Sequence, residues 1–150
     1  MSGVEPFFDT NVVLYLLSAD AGKADRAEEL LAAGGTISVQ VLNEFAAVAL
    51  RKLRMSWPEI REALEPIRAV CSVQPLSIET HDRATKISER YELPVYDSLI
   101  VAAALLAGCK TLYSEDMQNG QVIERELTIC NPFDAGVRTG AAARAPRRPR

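Results

Sequence analysis

Four acidic residues stand where they could do chemistry. Asp9 comes straight after Phe7-Phe8 and leads into Thr10-Asn11-Val12-Val13. Glu44 lies in Gln40-Val41-Leu42-Asn43-Glu44-Phe45, Asp97 opens Asp97-Ser98-Leu99-Ile100, and Asp116 follows Thr111-Leu112-Tyr113-Ser114-Glu115. A carboxylate so close to apolar chain is costly unless something pairs with it. Carboxylates gathered in one place repel one another, and their pKa values rise unless a cation neutralises them. Oxygen-only donors select hard ions, so the set points to Mg2+ or Mn2+. Such an ion supports attack of water on a phosphodiester and stabilises charge on the phosphate oxygens. Taken singly, each acid has an ordinary explanation. Asp97 makes a good helix N-cap and Asp9 can cap as well. Glu44 can be a solvated helix residue, and Asp116 suits a polar turn. Their joint placement carries the reading.

The elements that must position these acids alternate between short strands and helices. Phe7-Phe8 reads as a first strand ending near Asp9, and Asn11 to Leu17 as the start of a helix. Lys23 to Ala33 is amphipathic, with Ala24, Ala27, Leu30 and Leu31 on one face, and Gly34-Gly35 stops it. Thr36 to Val39 is β-like, and Gln40 to Arg54 is helical. Ser56 and Glu59 have capping-box spacing for a helix running to Val70, with a kink or break expected at Pro66. Cys71 to Leu76 reads as a strand that Pro75 places at an end or an edge. Ser77 to Tyr91 is a helix resting on Ile78, Ala84, Ile87 and Tyr91. Pro94-Val95-Tyr96 reads as an extended link, and Asp97 to Cys109 as a core helix ended by Gly108. Thr111-Leu112-Tyr113 is a strand, Ser114 to Gly120 a polar loop, and Leu127 to Cys130 a last strand. This alternation implies an α/β layered domain with a mostly parallel sheet. In such sheets sites form at the carboxyl ends of the strands, the end at which the four acids fall.

Composition excludes several classes. Apolar residues make up 48% and charged residues 25% of the chain, as in an ordinary globular domain. The longest apolar run, residues 99–107, is far shorter than the roughly 20 residues of a membrane span, and no signal peptide is visible. Cys71, Cys109 and Cys130 form no Cys-x-x-Cys pair, which fits core positions in a reducing, cytoplasmic setting. His81 is the sole histidine and lies in a polar helical stretch, so a Ser-His-Asp arrangement has little to build from. Phosphate-binding glycine motifs are lacking. The net charge is −3, and residues 135–150 hold five arginines and no acid, which leaves −8 on residues 1–134. A body so acidic is no generic nucleic-acid binder unless bound cations reverse its local field. Residues 134–150 read as a disordered Arg/Pro/Ala-rich tail, either solvated or acting as an arm that holds RNA or a partner.

Four stretches together resemble PIN-domain ribonucleases, in particular the VapC-type toxins of toxin–antitoxin systems. They are Phe8-Asp9-Thr10-Asn11, Ile37 to Phe45, Tyr96 to Ala104, and Leu112 to Gly120. The resemblance covers residues 5–133 and implies a PIN-like three-layer nuclease domain over residues 1–133. It implies a Mg2+- or Mn2+-dependent endoribonuclease with Asp9, Glu44, Asp97 and Asp116 as its acidic quartet. Asp9 and Asp97 would be direct metal ligands. Asp116 and Glu44 would ligate through water or orient the attacking water. Thr10, Ser38 and Ser114 would hydrogen-bond the ligands, and Asn119 would sit near substrate. A homodimer, an RNA substrate and a cognate antitoxin protein are implied as partners. The antitoxin would dock on the helix pair from Gln40 to Val70, where Leu53, Trp57 and Ile60 are apolar candidates. Three other readings compete. An aspartyl-phosphate phosphohydrolase would want an acid where Asn11 stands. A phosphoacceptor signalling domain would want its lysine after a strand, whereas Lys110 precedes one. A non-catalytic PIN scaffold would bind RNA or a partner without cutting.

Overall fold

A computed structural model describes residues 5–134 of the chain. Six strands form one sheet: β1 (Phe7–Phe8), β2 (Gly35–Ser38), β3 (Cys71–Gln74), β4 (Thr111–Tyr113), β5 (Val122–Ile123) and β6 (Leu127–Cys130). Their spatial order is β3-β2-β1-β4-β6-β5. All pairings are parallel except β5 with β6. Six helices flank the sheet: α1 (Thr10–Leu14), α2 (Ala21–Ala32), α3 (Val39–Arg51), α4 (Trp57–Val70), α5 (Ile78–Tyr91) and α6 (Val95–Leu106). The expected α/β, PIN-like layered architecture is therefore the one observed. Phe7, Phe8, Ile37, Leu112 and Ile129 from the strands are fully buried with Val12, Val41, Phe45, Ile87 and Ile100 from the helices. Their removal from water is the main favourable term in folding. Among the described residues no helix is long and apolar enough to cross a membrane.

β1 lies at the centre, between β2 and β4, and the chain leaves it in opposite directions to reach the two. That makes the carboxyl ends of β1 and β4 the point where the strand order reverses, the usual crevice of an open parallel sheet. Residue 35 has to be glycine for β1 to sit there. A Cβ on Gly35 would lie 2.3 Å from the Phe8 ring and 2.8 Å from the Pro6 carbonyl oxygen. Gly35 is thus the first residue of β2, and only Gly34, with φ +92°, serves the expected helix stop.

Several element boundaries differ from the sequence reading. α2 starts at Ala21, because the Asp20 side chain accepts the Lys23 N–H and caps it. The expected strand Thr36 to Val39 is shifted by one, since Ser38 caps α3 and Val39 already lies in it. α4 runs through Pro66 without a break, and its capping box of Ser56 and Glu59 is formed. α5 keeps the expected span, but Ile78 is exposed at 75% and Thr80 takes the buried place near its start. Val95 and Tyr96 are helical and not a link: Pro94, whose missing N–H costs nothing at a helix entrance, is the N-cap of α6. The hairpin strand β5 escaped the sequence reading because its turn places Glu124 and Arg125 at positive φ, where no glycine or asparagine signals it. β3 is an edge strand, as Pro75 implied. Cys71 and Cys109 are buried, Cys130 is half-buried, and all three are free thiols. His81 is exposed. Asp134 is described, while the remainder of the expected disordered tail lies outside the described residues.

Ser98 on α6 is fully buried, and its Oγ has no hydrogen-bond partner among the described residues. An unsatisfied hydroxyl costs about 1–3 kcal/mol, and alanine is the better helix former. We expect Ser98→Ala to leave the melting temperature unchanged or raise it by a few degrees in a thermal unfolding scan. A fall of several degrees would mean that the hydroxyl bonds something in solution.

Candidate functional site

Asp9 follows β1 and caps α1. Its N–H donates to the Tyr113 carbonyl at 2.9 Å, which ties it to the end of β4. Its side chain is only 5% exposed. Oδ1 accepts the Thr10 N–H at 2.7 Å, and Oδ2 accepts the Ser114 hydroxyl at 2.7 Å and the Asn11 amide at 3.3 Å. Burial nevertheless raises its pKa from 3.8 to about 7, against the lowering effect of Ser114 and Thr10 and with a further push from Asp97 and Glu44. Burial outweighs the three donors, and a cation beside the carboxyl would favour its charged form.

The other acids come from separate elements. Glu44, half-buried on α3, accepts the Thr10 hydroxyl on Oε1 at 2.6 Å and the buried Gln40 amide on Oε2 at 2.9 Å. Thr10 thereby bonds Asp9 through its N–H and Glu44 through its hydroxyl. Asp97 lies in the first turn of α6, where the helix dipole favours a negative charge. It is not the N-cap that the sequence reading allowed: Pro94 takes that place, and no side chain caps the helix. Its pKa is raised by burial first, then by Glu44 and Asp116. Asp116 is exposed in the bend after β4, and its Oδ2 accepts the Asn11 amide at 3.1 Å. Electrostatic coupling thus joins Asp9 to Asp97 and Glu44, and Asp97 to Glu44 and Asp116, while Asn11 bridges Asp9 and Asp116.

Of the remaining residues singled out in the sequence, Ser114 is fully buried at the junction. It donates to Asp9 and accepts the N–H groups of Asp116 and Met117, both at 3.2 Å. Ser38 serves the backbone instead, its Oγ accepting the Val41 N–H. Asn119 accepts the Asn131 N–H at 2.8 Å and so fastens the loop to the segment after β6. Sequence reasoning missed Gln40 and the bridging part of Asn11. The only signal for Gln40 was its place one turn before Glu44, where side chains of a helix meet.

Do these groups suit a divalent ion? Ion pairs among the described residues are Lys23–Glu115, Arg26–Glu29 and Arg90–Glu124, so none neutralises the four acids. No three His, Cys, Asp or Glu side chains among the described residues are gathered as a ready-made cage. Mg2+ does not require one, since one or two carboxylates with water completing the octahedron commonly hold it. Hard oxygen donors, a buried carboxyl pushed to about 7 and a lack of counter-charge among the described residues all fit such an ion.

Residues 7–120 match the PIN domain family. No curated protein matches the chain. Solved structures with a similar fold include a toxin–antitoxin complex from Klebsiella pneumoniae, with a TM-score of 0.64 and 21% identity over 86% of this chain and 98% of that one. Mycobacterium tuberculosis VapC20, a toxin that cleaves the sarcin-ricin loop, gives 0.61 and 20% over 74% of this chain and 89% of that one. VapBC2 from Rickettsia felis, bound to a DNA fragment from its promoter, gives 0.61 and 17% over 83% and 96%.

Proposed function

Because this chain belongs to the PIN-domain family, we propose that it is a Mg2+- or Mn2+-dependent endoribonuclease and the toxin of a toxin–antitoxin pair. One observation carries the reading. Carboxylates from four separate parts of the chain are coupled electrostatically or through Asn11 near the switch point between β1 and β4, and no lysine or arginine among the described residues pairs with them. Asp9 and Asp97 would hold the ion, with Asp116 beside them through Asn11. When bound, the ion supplies charge stabilisation to the phosphate oxygens and lowers the pKa of a water. The chain's own residues do the rest. Thr10 and Gln40 fix the Glu44 carboxylate, to which we assign the proton released by the attacking water. Ser114 keeps Asp9 and the backbone of Asp116 in one hydrogen-bonded unit. The oxygen of water then adds to phosphorus as the ribose oxygen opposite leaves.

Partners follow from the same reading. The similar structures include complexes of toxin with antitoxin. Leu50, Leu53 and Trp57, at the junction of α3 and α4, are 40%, 45% and 51% exposed and are offered to an antitoxin segment. Ile60 leaves that list, being only 2% exposed and part of the core. RNA as substrate, a homodimer and a cytoplasmic location belong to the proposal too. A non-catalytic scaffold is the second reading, favoured only by the lack of a tight three-acid cage.

The test is to incubate purified protein with total RNA and Mn2+ or Mg2+, with and without EDTA, beside Asp97→Asn. The expected result is metal-dependent fragments, lost with EDTA and reduced on the order of 10²–10³-fold in the variant. RNA bound but left whole in every lane would favour the scaffold. Phosphate released from a small monoester without RNA cleavage would favour the phosphohydrolase.

A further inference from the structure

We propose that Glu115, clamped by Tyr15 and Lys23, is a positioning residue that holds Asp116 in register with Asp9; this rests on the nuclease reading above. Glu115 immediately precedes Asp116, yet its side chain reaches away from the acids towards α2. Oε1 accepts the Tyr15 hydroxyl, and Oε2 accepts the Lys23 ammonium at 2.6 Å. Lys23 also donates to the Tyr15 oxygen at 3.1 Å. The ammonium lies 4.7 Å from the centre of the Tyr15 ring and 5.6 Å from that of Phe133, and the two rings meet edge to face at 4.8 Å. An exposed ion pair contributes little, but this one is closed in by two aromatic rings, with its side chains only 32% and 25% exposed. Two residues 100 and 92 positions away in the chain converge on one carboxylate.

The clamp acts on the acids through Asn11. The Glu115 N–H donates to Asn11 Oδ1 at 3.2 Å. That bond turns the Asn11 amide so that its nitrogen faces Asp116 at 3.1 Å and Asp9 at 3.3 Å. If the bend slides by about an ångström, the carbonyl end of Asn11 loses its key and the nitrogen its two carboxylates, because a donor and acceptor about 3.6 Å or more apart no longer form a hydrogen bond. Ser114 fixes the backbone at the strand end, and Glu115 fixes it on the far side. Asp116 is exposed and has no cap role; its N–H is held by Ser114 and its side chain by Asn11, the residue that the Glu115 N–H orients.

Two variants test this: Glu115→Ala, which removes the clamp, and Tyr15→Phe, which deletes only the hydroxyl and keeps the ring. Hydrogen exchange is read on the metal-free protein, and Mn2+ binding is read from the electron paramagnetic resonance of the free ion. For Glu115→Ala we expect the amides of Glu115, Asp116 and Met117 to exchange at least about tenfold faster while α6 and β4 are unchanged. Half-saturation by Mn2+ should move about tenfold upwards, as for groups that orient a metal ligand. Tyr15→Phe should shift both in the same direction by less, and Glu115→Gln, which keeps an acceptor for Tyr15, should recover part of the loss. Unchanged exchange at 115–117 overturns the proposal. So does faster exchange spread over the whole chain, which would mark a general structural role. If the wild type neither binds Mn2+ nor cuts RNA, the nuclease reading fails, and the exchange comparison alone still decides the clamp.

Discussion

Replacing Asp9 by asparagine is expected to abolish RNA cleavage and, in metal-free buffer at pH 8, to make the protein more stable. The first effect, on the order of 10³-fold, follows from losing the most buried charge of the site. The second follows from linkage. The folded-state pKa of Asp9 is raised from 3.8 to about 7, chiefly by burial. Between those values the folded state binds the proton that the unfolded state has released, so stability falls as pH rises from about 4 to about 7. Below that window Asp9 costs nothing. Above it the whole penalty is present, on the order of a few kcal/mol. Asparagine has no such titration. It still offers an oxygen to Thr10 or Ser114, but its nitrogen faces a donor, so the net gain at pH 8 should be about 1–3 kcal/mol. Urea unfolding at pH 4, 6 and 8 with EDTA would show the variant gaining on the wild type as pH rises. Excess Mn2+ should reverse the order, because an ion that binds only the folded wild type stabilises it by mass action. A wild type whose stability is flat over that window would refute the account of Asp9.

Gly35→Ala should be the most destabilising glycine-to-alanine change among the described residues. The new Cβ would stand 2.3 Å from the Phe8 ring and 2.8 Å from the Pro6 carbonyl. Neither neighbour can give way cheaply. Phe8 is fully buried and stacks on Tyr113 at 6.0 Å, and the Pro6 carbonyl accepts the Thr36 N–H at 2.8 Å, joining β1 to β2. Overpacking of a filled core costs about 1–3 kcal/mol, and with backbone in the way the upper end applies. That corresponds to a fall of about 10 °C in Tm. Since Phe8 precedes Asp9, the same displacement should loosen the bond from the Asp9 N–H to Tyr113 and weaken Mn2+ binding. A melting temperature within about two degrees of the wild type would show that the sheet opens there without cost.

The residues themselves determined the kind of fold and singled out four acids as candidates. Strand and helix alternate because the period of apolar residues switches, and capping signals such as Ser56 with Glu59 and Ser77 with Thr80 mark helix starts through contacts three residues apart. The four acids could be picked out because each lies close to apolar chain, and a carboxylate there demands an explanation. Local signals failed where the deciding neighbour is distant. Gly35 reads as a helix stop, yet it is glycine because Phe8 crosses it. Asp97 reads as a cap, yet Pro94 takes that role and frees the carboxylate. Ser38 and Ser114 look alike at strand ends, and only the pairing of β4 beside β1 brings the second hydroxyl onto Asp9. Asn11, Gln40 and the clamp of Tyr15, Lys23 and Glu115 belong to tertiary structure altogether. A hydrogen bond between residues a hundred positions apart depends on sheet order, and sheet order is set by which buried faces fit together, not by any one stretch of chain.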